Sequence, residues 1–326
     1  MTGWRLLAVH AHPDDETITT GGLLAHCADR GIETMVICCA CGSADANPNG
    51  GAPGGDRRVR EAELRAACAI LGVTHVRLLG YADSGMAGSP ANDAPGSFWR
   101  ADVDEATRRL VEHLRAFRPH VAVSYDPNGG YGHPDHIQAH RITLLAVAAA
   151  HHRAVYPEAG RPWRVGKLYY TALPRSEARR YAAALAAVGA PPPFSGGDPD
   201  TLAHLTPDDQ VTASIDCGAQ AARKRLALQA HASQLGPDFR LLALPLEVLR
   251  AQFPREYFQL ACGPWPARRP ETDLFAGLAD APGPPQPAAG SDISRSAGDP
   301  IRFLNAGHAA DATPEPGADL REHRRR

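Results

Sequence analysis

The sequence predicts an α/β fold: a Rossmann-like, mostly parallel sheet flanked by helices, with a smaller mixed C-terminal portion. Three observations predict it. Short apolar runs alternate with helix-periodic runs through the first half of the chain. Such strand–helix–strand succession implies parallel strands joined by right-handed crossovers. The polar segments rich in His and Asp directly follow apolar runs, at the carboxyl ends of strands, where open α/β sheets place their ligands.

The elements follow in chain order. LLAVHA (6–11), TMVICC (34–39), HVRLLG (75–80) and HVAVSY (120–125) are apolar enough for buried strands. GGLLAHCADRG (21–31) predicts a helix that ends at Gly31, a C-terminal capping residue. RRVREAELRAACAILG (57–72) predicts a second, with Val59, Ala62, Ala66, Ala69 and Ile70 as its apolar positions and Gly72 as its stop. DVDEATRRLVEHLRAF (102–117) places Leu110, Leu114 and Phe117 on one face. Asp102 is its N-cap, and Glu105 three positions on completes a capping-box pattern. In the second half KLYYTAL (167–173), VTASID (211–216) and EYFQLAC (256–262) predict strands. ARRYAAALAAV (178–188) and AQAARKRLALQAHASQ (219–234) predict helices. From about Asp280 the composition shifts to Pro, Gly, Ala and charge, which cannot bury enough apolar surface to order itself. The expected organisation is a core over 1–165, a C-terminal α/β portion over 166–280 that completes a pocket, and a disordered tail over 281–326.

Composition narrows the function. A formal net charge of −2 gives no field toward nucleic acid or anionic membrane. No apolar run reaches 18 residues, and WRLLAV is too short for a signal-peptide core, so a cytoplasmic protein with no membrane partner is expected. No protein partner is evident. The seven cysteines are odd in number and form no CxxC, against a disulfide framework. Cys38, Cys39 and Cys41 are expected as small apolar groups at a buried strand end.

Two clusters carry chemistry. HAHPDDE (10–16) ends the first strand and offers His and Asp at His-x-x-Asp spacing. YDPNGGYGHPDHIQAH (125–140) follows the fourth and offers His133, Asp135, His136 and His140. Neither closes a metal site alone. Brought to one sheet edge they supply two histidines and a carboxylate, the three protein ligands that leave a catalytic zinc one open position. The same set suits ferrous iron. His10 is expected either behind the site or packed in its strand, and His140 behind it or on a helix surface.

HAHPDDE with GHPDH resembles the LmbE-like, or PIG-L, zinc de-N-acetylases. DSGMAG (83–88) and ETDLFAGL (271–278) are similar to the mycothiol-biosynthesis branch, which removes acetyl from an N-acetylglucosamine joined to myo-inositol. The resemblance covers about residues 5–280. It implies one zinc per subunit, with ferrous iron as the alternative, held by His12, Asp15 and His136. It implies Asp14 as general base, and His133 facing the reacting amide. Asp135 beside His133 would orient it and raise its pKa. It implies Tyr131 at the carbonyl oxygen, Arg60 and Asp83 on sugar or inositol hydroxyls, and Met86 packing nearby. The implied partner is a small amino-sugar inositol. Cys41-Gly42-Ser43-Ala44 stands where many relatives have Gly-Glu, which leaves contacts to the outer part of the substrate open. The rival readings are a mycothiol S-conjugate amidase, a deacetylase of another N-acetylglucosaminyl compound, and an inert sugar-binding protein. Thr19, where the amidases carry lysine, leans toward the deacetylase.

Overall fold

The computed structural model describes residues 3–42, 55–193, 198, 201–202, 204–236 and 239–278. The departure at 43–44 and the expected tail at 281–326 lie outside the described residues. The chain runs β1 (Arg5–His10), α1 (Asp15–Asp29), β2 (Glu33–Ala40), α2 (Arg57–Leu71), β3 (His75–Tyr81), α3 (Val103–Phe117), β4 (Val121–Ser124), α4 (Gly129–Gly132) and α5 (Pro134–Ala150). It continues with β5 (Lys167–Ala172), α6 (Arg175–Ala187), β6 (Ala213–Asp216), α7 (Ala221–Ala230), α8 (Arg240–Ala243), α9 (Leu246–Gln252) and β7 (Arg255–Cys262).

The seven strands form one sheet in the order β3-β2-β1-β4-β5-β7-β6. β1 to β5 pair in parallel, and β7 lies antiparallel between β5 and β6. This is the parallel core with a mixed C-terminal portion that the sequence predicts. The sheet continues through residue 165, because β4 pairs with β5 from Val121↔Lys167 to Ser124↔Tyr170. β2 and β3 extend the sheet on one side of β1, and β4 opens the other. That reversal leaves a crevice beyond the carboxyl ends of β1 and β4.

Side chains alternate across the pleat and build a core on each face. Leu7, Val9, Met35 and Ile37 meet Leu110, Leu114, Ile142 and Ala146 of α3 and α5. Leu6, Ala8, Val36 and Cys38 meet Leu24, Leu64, Leu71 and Ala227 of α1, α2 and α7. Each such leucine contributes about 1.5–3 kcal/mol on burial. Asp102 caps α3 as expected, accepting from Glu105 N at 2.8 Å. The Glu105 side chain does not close the box; it pairs with Arg108 and Arg109.

Two helices differ from expectation. The buried face of α2 is Arg60, Leu64, Ala67, Cys68 and Leu71, while Val59 is 45% exposed. The leucines and cysteine at i, i+4 and i+7 carry more apolar area than the alanines, so they take the core side. α1 starts at Asp15, six residues earlier than expected, and keeps Gly21 and Gly22 in its middle. A Cβ on Gly22 would meet Cys217 Cβ at 2.6 Å and Glu256 Oε1 at 2.8 Å. Glu256 takes up that space: it accepts from Gly22 N, Leu23 N and Lys224 Nζ at 2.7, 2.8 and 2.6 Å. β7 and α7 thereby clamp the middle of α1.

ETDLFAGL serves as a strap rather than a site. Leu274 and Phe275 enter the core. Glu271 accepts from buried Lys167 at 2.9 Å and from the Tyr169 hydroxyl, on β5. No helix of the described residues is long and apolar enough to cross a membrane.

Candidate active site and metal centre

The turn between β1 and α1 carries three of the expected residues. His12 N donates to Asp15 Oδ2 at 2.9 Å, which folds the turn back on itself. Asp15 opens α1, where the helix dipole favours a carboxylate. Asp14 caps the helix at φ 114°, ψ −33°, a conformation L-residues rarely adopt. Backbone strain of this kind costs on the order of 1–3 kcal/mol and persists only where surrounding contacts impose it. Those contacts include Arg60 Nη2 on the Pro13 carbonyl at 3.0 Å and Asp14 N on Glu16 Oε2 at 2.9 Å.

The segment after β4 supplies the rest. Gly129 has φ +61°, and a Cβ there would lie 2.6 Å from Ile137 N and 2.7 Å from His136 Cβ. Only glycine lets the loop pass so close to the start of α5. His133 caps α5, its Nδ1 accepting from Asp135 N at 3.1 Å. Tyr131 is 55% exposed, and its ring lies 5.0 Å from His136 and 6.2 Å from His133.

The two halves converge. Asp15 Oδ2 lies 3.4 Å from His12 Nδ1 and 3.3 Å from His136 Nε2. The His136 nitrogen is buried and has no aligned hydrogen-bond partner among the described residues. One ring nitrogen each of His12, His133 and His136 falls within 4.8 Å of the others, and so do donors of His12, Asp83, His133 and Asp135. Buried imidazole nitrogens gathered around carboxylates, one of them unpartnered, suit a divalent cation with mixed N and O ligation. The described residues therefore offer a His/Asp cluster that could hold a metal: His12 and His136 are gathered with His133, and the Asp15 carboxylate lies beside the first two.

Burial and charge set the protonation states. Burial would lift Asp15, but His136 and His12 outweigh it and hold the carboxyl well below its usual range. Asp14 is pushed up to about 7 by burial and by the charge of Asp15, with Arg60 opposing. Burial lowers His12, but Asp135 and Asp15 more than compensate and raise it well above the usual imidazole value. Burial also raises the Tyr131 phenol.

Asp135 meets a different partner from the one expected. Its Oδ2 lies 3.0 Å from His12 Nε2 and accepts from Ser84 N at 2.9 Å. Only its backbone N–H touches the His133 ring. The carboxylate is therefore placed to hold the His12 ring. Asp135 acts to raise His133, as expected, but burial and repulsion by His12 and His136 outweigh it and lower the ring to about 4. Arg60 is buried on α2 and donates to Asp83 Oδ2 at 3.1 Å, while Asp83 Oδ1 stands 3.6 Å from His12 Nε2. Met86 is half exposed at the rim. His10 is buried with Nε2 on Thr20 Oγ1 at 3.0 Å, and His140 Nδ1 lies 3.0 Å from the Tyr125 carbonyl, so both stand behind the site. Cys38, Cys39 and Cys41 are free and buried, as expected.

All ten expected residues except Asp135 line one cavity of about 1000 Å³. Thr19, Tyr181, Leu249 and Phe253 also line it.

Residues 7–147 match the family described as PIG-L: GlcNAc-PI de-N-acetylase. A protein of Geodermatophilus obscurus, 1D-myo-inositol 2-acetamido-2-deoxy-alpha-D-glucopyranoside deacetylase, is 44% identical over 84% of this chain and 98% of its own length. The chain belongs to the PIG-L family. A Thermobifida fusca protein of the same description is also 44% identical, over 85% of this chain and all of its own. Among solved structures, GalB, the 4-carboxy-2-hydroxymuconate hydratase of Pseudomonas putida KT2440, aligns with TM-score 0.54 at 21% identity, over 81% of this chain and 99% of that one. That likeness is one of fold.

Three residues of this PIG-L site were not anticipated. Tyr125 donates to Asp15 Oδ2 at 2.8 Å, accepts from Ala11 N at 2.9 Å and stacks on His136 at 4.3 Å. Glu16 and His231 form a pair at 2.8 Å with both side chains fully buried. Tyr125 was legible in the YDPN run as a polar residue at a strand end. His231 had no local signal.

Proposed function

We propose that this PIG-L chain hydrolyses the acetamide of 1-O-(2-acetamido-2-deoxy-glucopyranosyl)-myo-inositol, releasing acetate and the free amine of mycothiol biosynthesis. The carrying observation is 44% identity, over nearly the full length of the relative, to a deacetylase described for that substrate, with Asp15 beside His12 and His136 and Asp14 lining the same cavity.

In this reading His12, Asp15 and His136 hold one divalent metal, zinc or ferrous iron. Such a metal, when bound, supplies Lewis acidity that polarises the acetamide carbonyl and acidifies water in its field. Asp135 fixes the His12 ring, and Tyr125 fixes the Asp15 carboxylate. Asp14 is the general base; in the metal-free protein burial and the Asp15 charge hold its carboxyl up at about 7. Tyr131 O–H donates to the developing oxyanion. The leaving amine needs a proton. His133, lowered to about 4 in the metal-free protein, accepts from Asp135 N at Nδ1 and so carries its proton on Nε2, as a hydrogen-bond donor to the developing oxyanion, while Asp14 delivers to the leaving amine the proton it has taken. Arg60 and Asp83 face the sugar or inositol hydroxyls as a tied pair.

The size of the cavity, about 1000 Å³, favours one second reading, cleavage of a bulkier amide on the same glucosamine, as in a mycothiol S-conjugate. Acetate release abolished by a chelator and restored by metal tests the reaction class. Side-by-side rates on the acetyl substrate and the conjugate separate the two readings, and a conjugate rate above the acetyl rate would overturn the first.

A further inference from the structure

Glu16 is the last residue of HAHPDDE and has no role in the reaction proposed above. Its carboxylate is fully buried and has both oxygens engaged. Oε2 accepts from Asp14 N at 2.9 Å, gripping the residue held at φ 114°. Oε1 accepts from His231 Nε2 at 2.8 Å and from the Thr17 hydroxyl. His231 follows α7 directly, and the turn it anchors, with Leu235 N on its carbonyl at 2.8 Å, brings Gln234 and Leu235 to the cavity wall.

Burying a carboxylate and an imidazole together stabilises little, since an apolar pair of like volume does as well. The contact therefore calls for another purpose. Glu16 reaches back to the capping N–H as the acid of a capping box does, but from the second helical position and with a third partner behind it. That partner stops Glu16 from rotating away, and the grip on Asp14 N keeps the Asp14 carboxylate turned into the cavity.

We infer that His231 and Glu16 form a positioning pair that holds Asp14 in its strained, cavity-facing conformation. The inference rests on Asp14 being the general base. Neither residue touches the substrate; both act through the Asp14 backbone.

The test compares His231→Ala, His231→Asn and His231→Gln, with metal content measured in each and rates expressed per metal-loaded chain. A Gln amide can reach Glu16 from the place of Nε2; an Asn amide falls short. His231→Ala and His231→Asn lower kcat by about 10–100-fold, the cost of a misplaced catalytic group, with KM within about twofold. His231→Gln keeps kcat within about threefold of the starting protein. On an Asp14→Asn background the same changes lower the residual rate no further, because residues acting as one unit are non-additive. If His231→Ala does not fold, the Asn and Gln contrast carries the test. Equal rates for Asn and Gln, or losses that multiply with Asp14→Asn, overturn the positioning role. Full activity of Asp14→Asn itself would instead overturn the base assignment beneath it.

Discussion

Tyr125→Phe probes the frame of the metal centre without touching a ligand. The hydroxyl makes two buried contacts, to Asp15 Oδ2 at 2.8 Å and from Ala11 N at 2.9 Å. Its removal orphans a buried N–H, which costs about 1–3 kcal/mol, and deletes a bond to a charged group worth about 1.5–3 kcal/mol. The ring and its stacking on His136 stay. The metal-free protein should therefore unfold in urea with stability lower by about 2–4 kcal/mol, the two effects overlapping. Asp15 Oδ2 keeps the His12 N–H but loses the phenol, and should bind metal about 10–100-fold more weakly, as when a partner behind a ligand is lost. Competition with a chromophoric chelator measures this. Metal affinity within twofold of the starting protein, alongside the expected loss of stability, would refute Asp15 as a ligand oriented by Tyr125.

The other expectations follow the same contacts. Gly129→Ala puts a methyl against Ile137 N and His136 Cβ at a positive φ, so metal affinity and kcat should both fall more than tenfold, read by chelator competition and steady-state rates. Glu271→Ala leaves buried Lys167 unpaired, and should cost about 3–5 kcal/mol in urea melts while kcat per folded chain holds. The Glu16–His231 pair gives a pH window in the metal-free protein. Burial raises Glu16 but His231 and its neighbours lower it on balance, so its contribution is present above about 4.5 and fades as pH falls through its folded value. Burial lowers His231 but Glu16 raises it on balance, so its contribution is full below about 6.5 and fades as pH rises through its folded value. The stability difference between the starting protein and His231→Gln should be largest between those limits and shrink on either side.

The fold was legible because each strand is a short apolar run ending in polar residues, and that pattern survives without knowledge of the packing. The helical faces were less so. In α2 the alanines drew the predicted face to the solvent side, since alanine tolerates either environment and marks neither. His12, Asp14, Asp15 and His136 were legible because the chemistry sits in two short, dense motifs at strand ends. The direction of the Asp135 carboxylate was not. Two positions from His133 in the chain, it meets His12, 123 positions away, and Ser84 N, contacts that no local spacing marks. Glu16 was in plain view, yet its meaning depends on His231, 215 positions on, which no spacing links to it.

The central claim is that Asp14 moves a proton in a metal-dependent amide hydrolysis. Acetate release from the N-acetylglucosaminyl-inositol substrate, measured for the metal-loaded protein and for Asp14→Asn with its metal content confirmed, tests it most directly. The account predicts acetate and amine in equal amounts from the first, and a rate about 10²–10⁴-fold lower from the second. No acetate from the loaded protein, or an undiminished rate from Asp14→Asn, would contradict it.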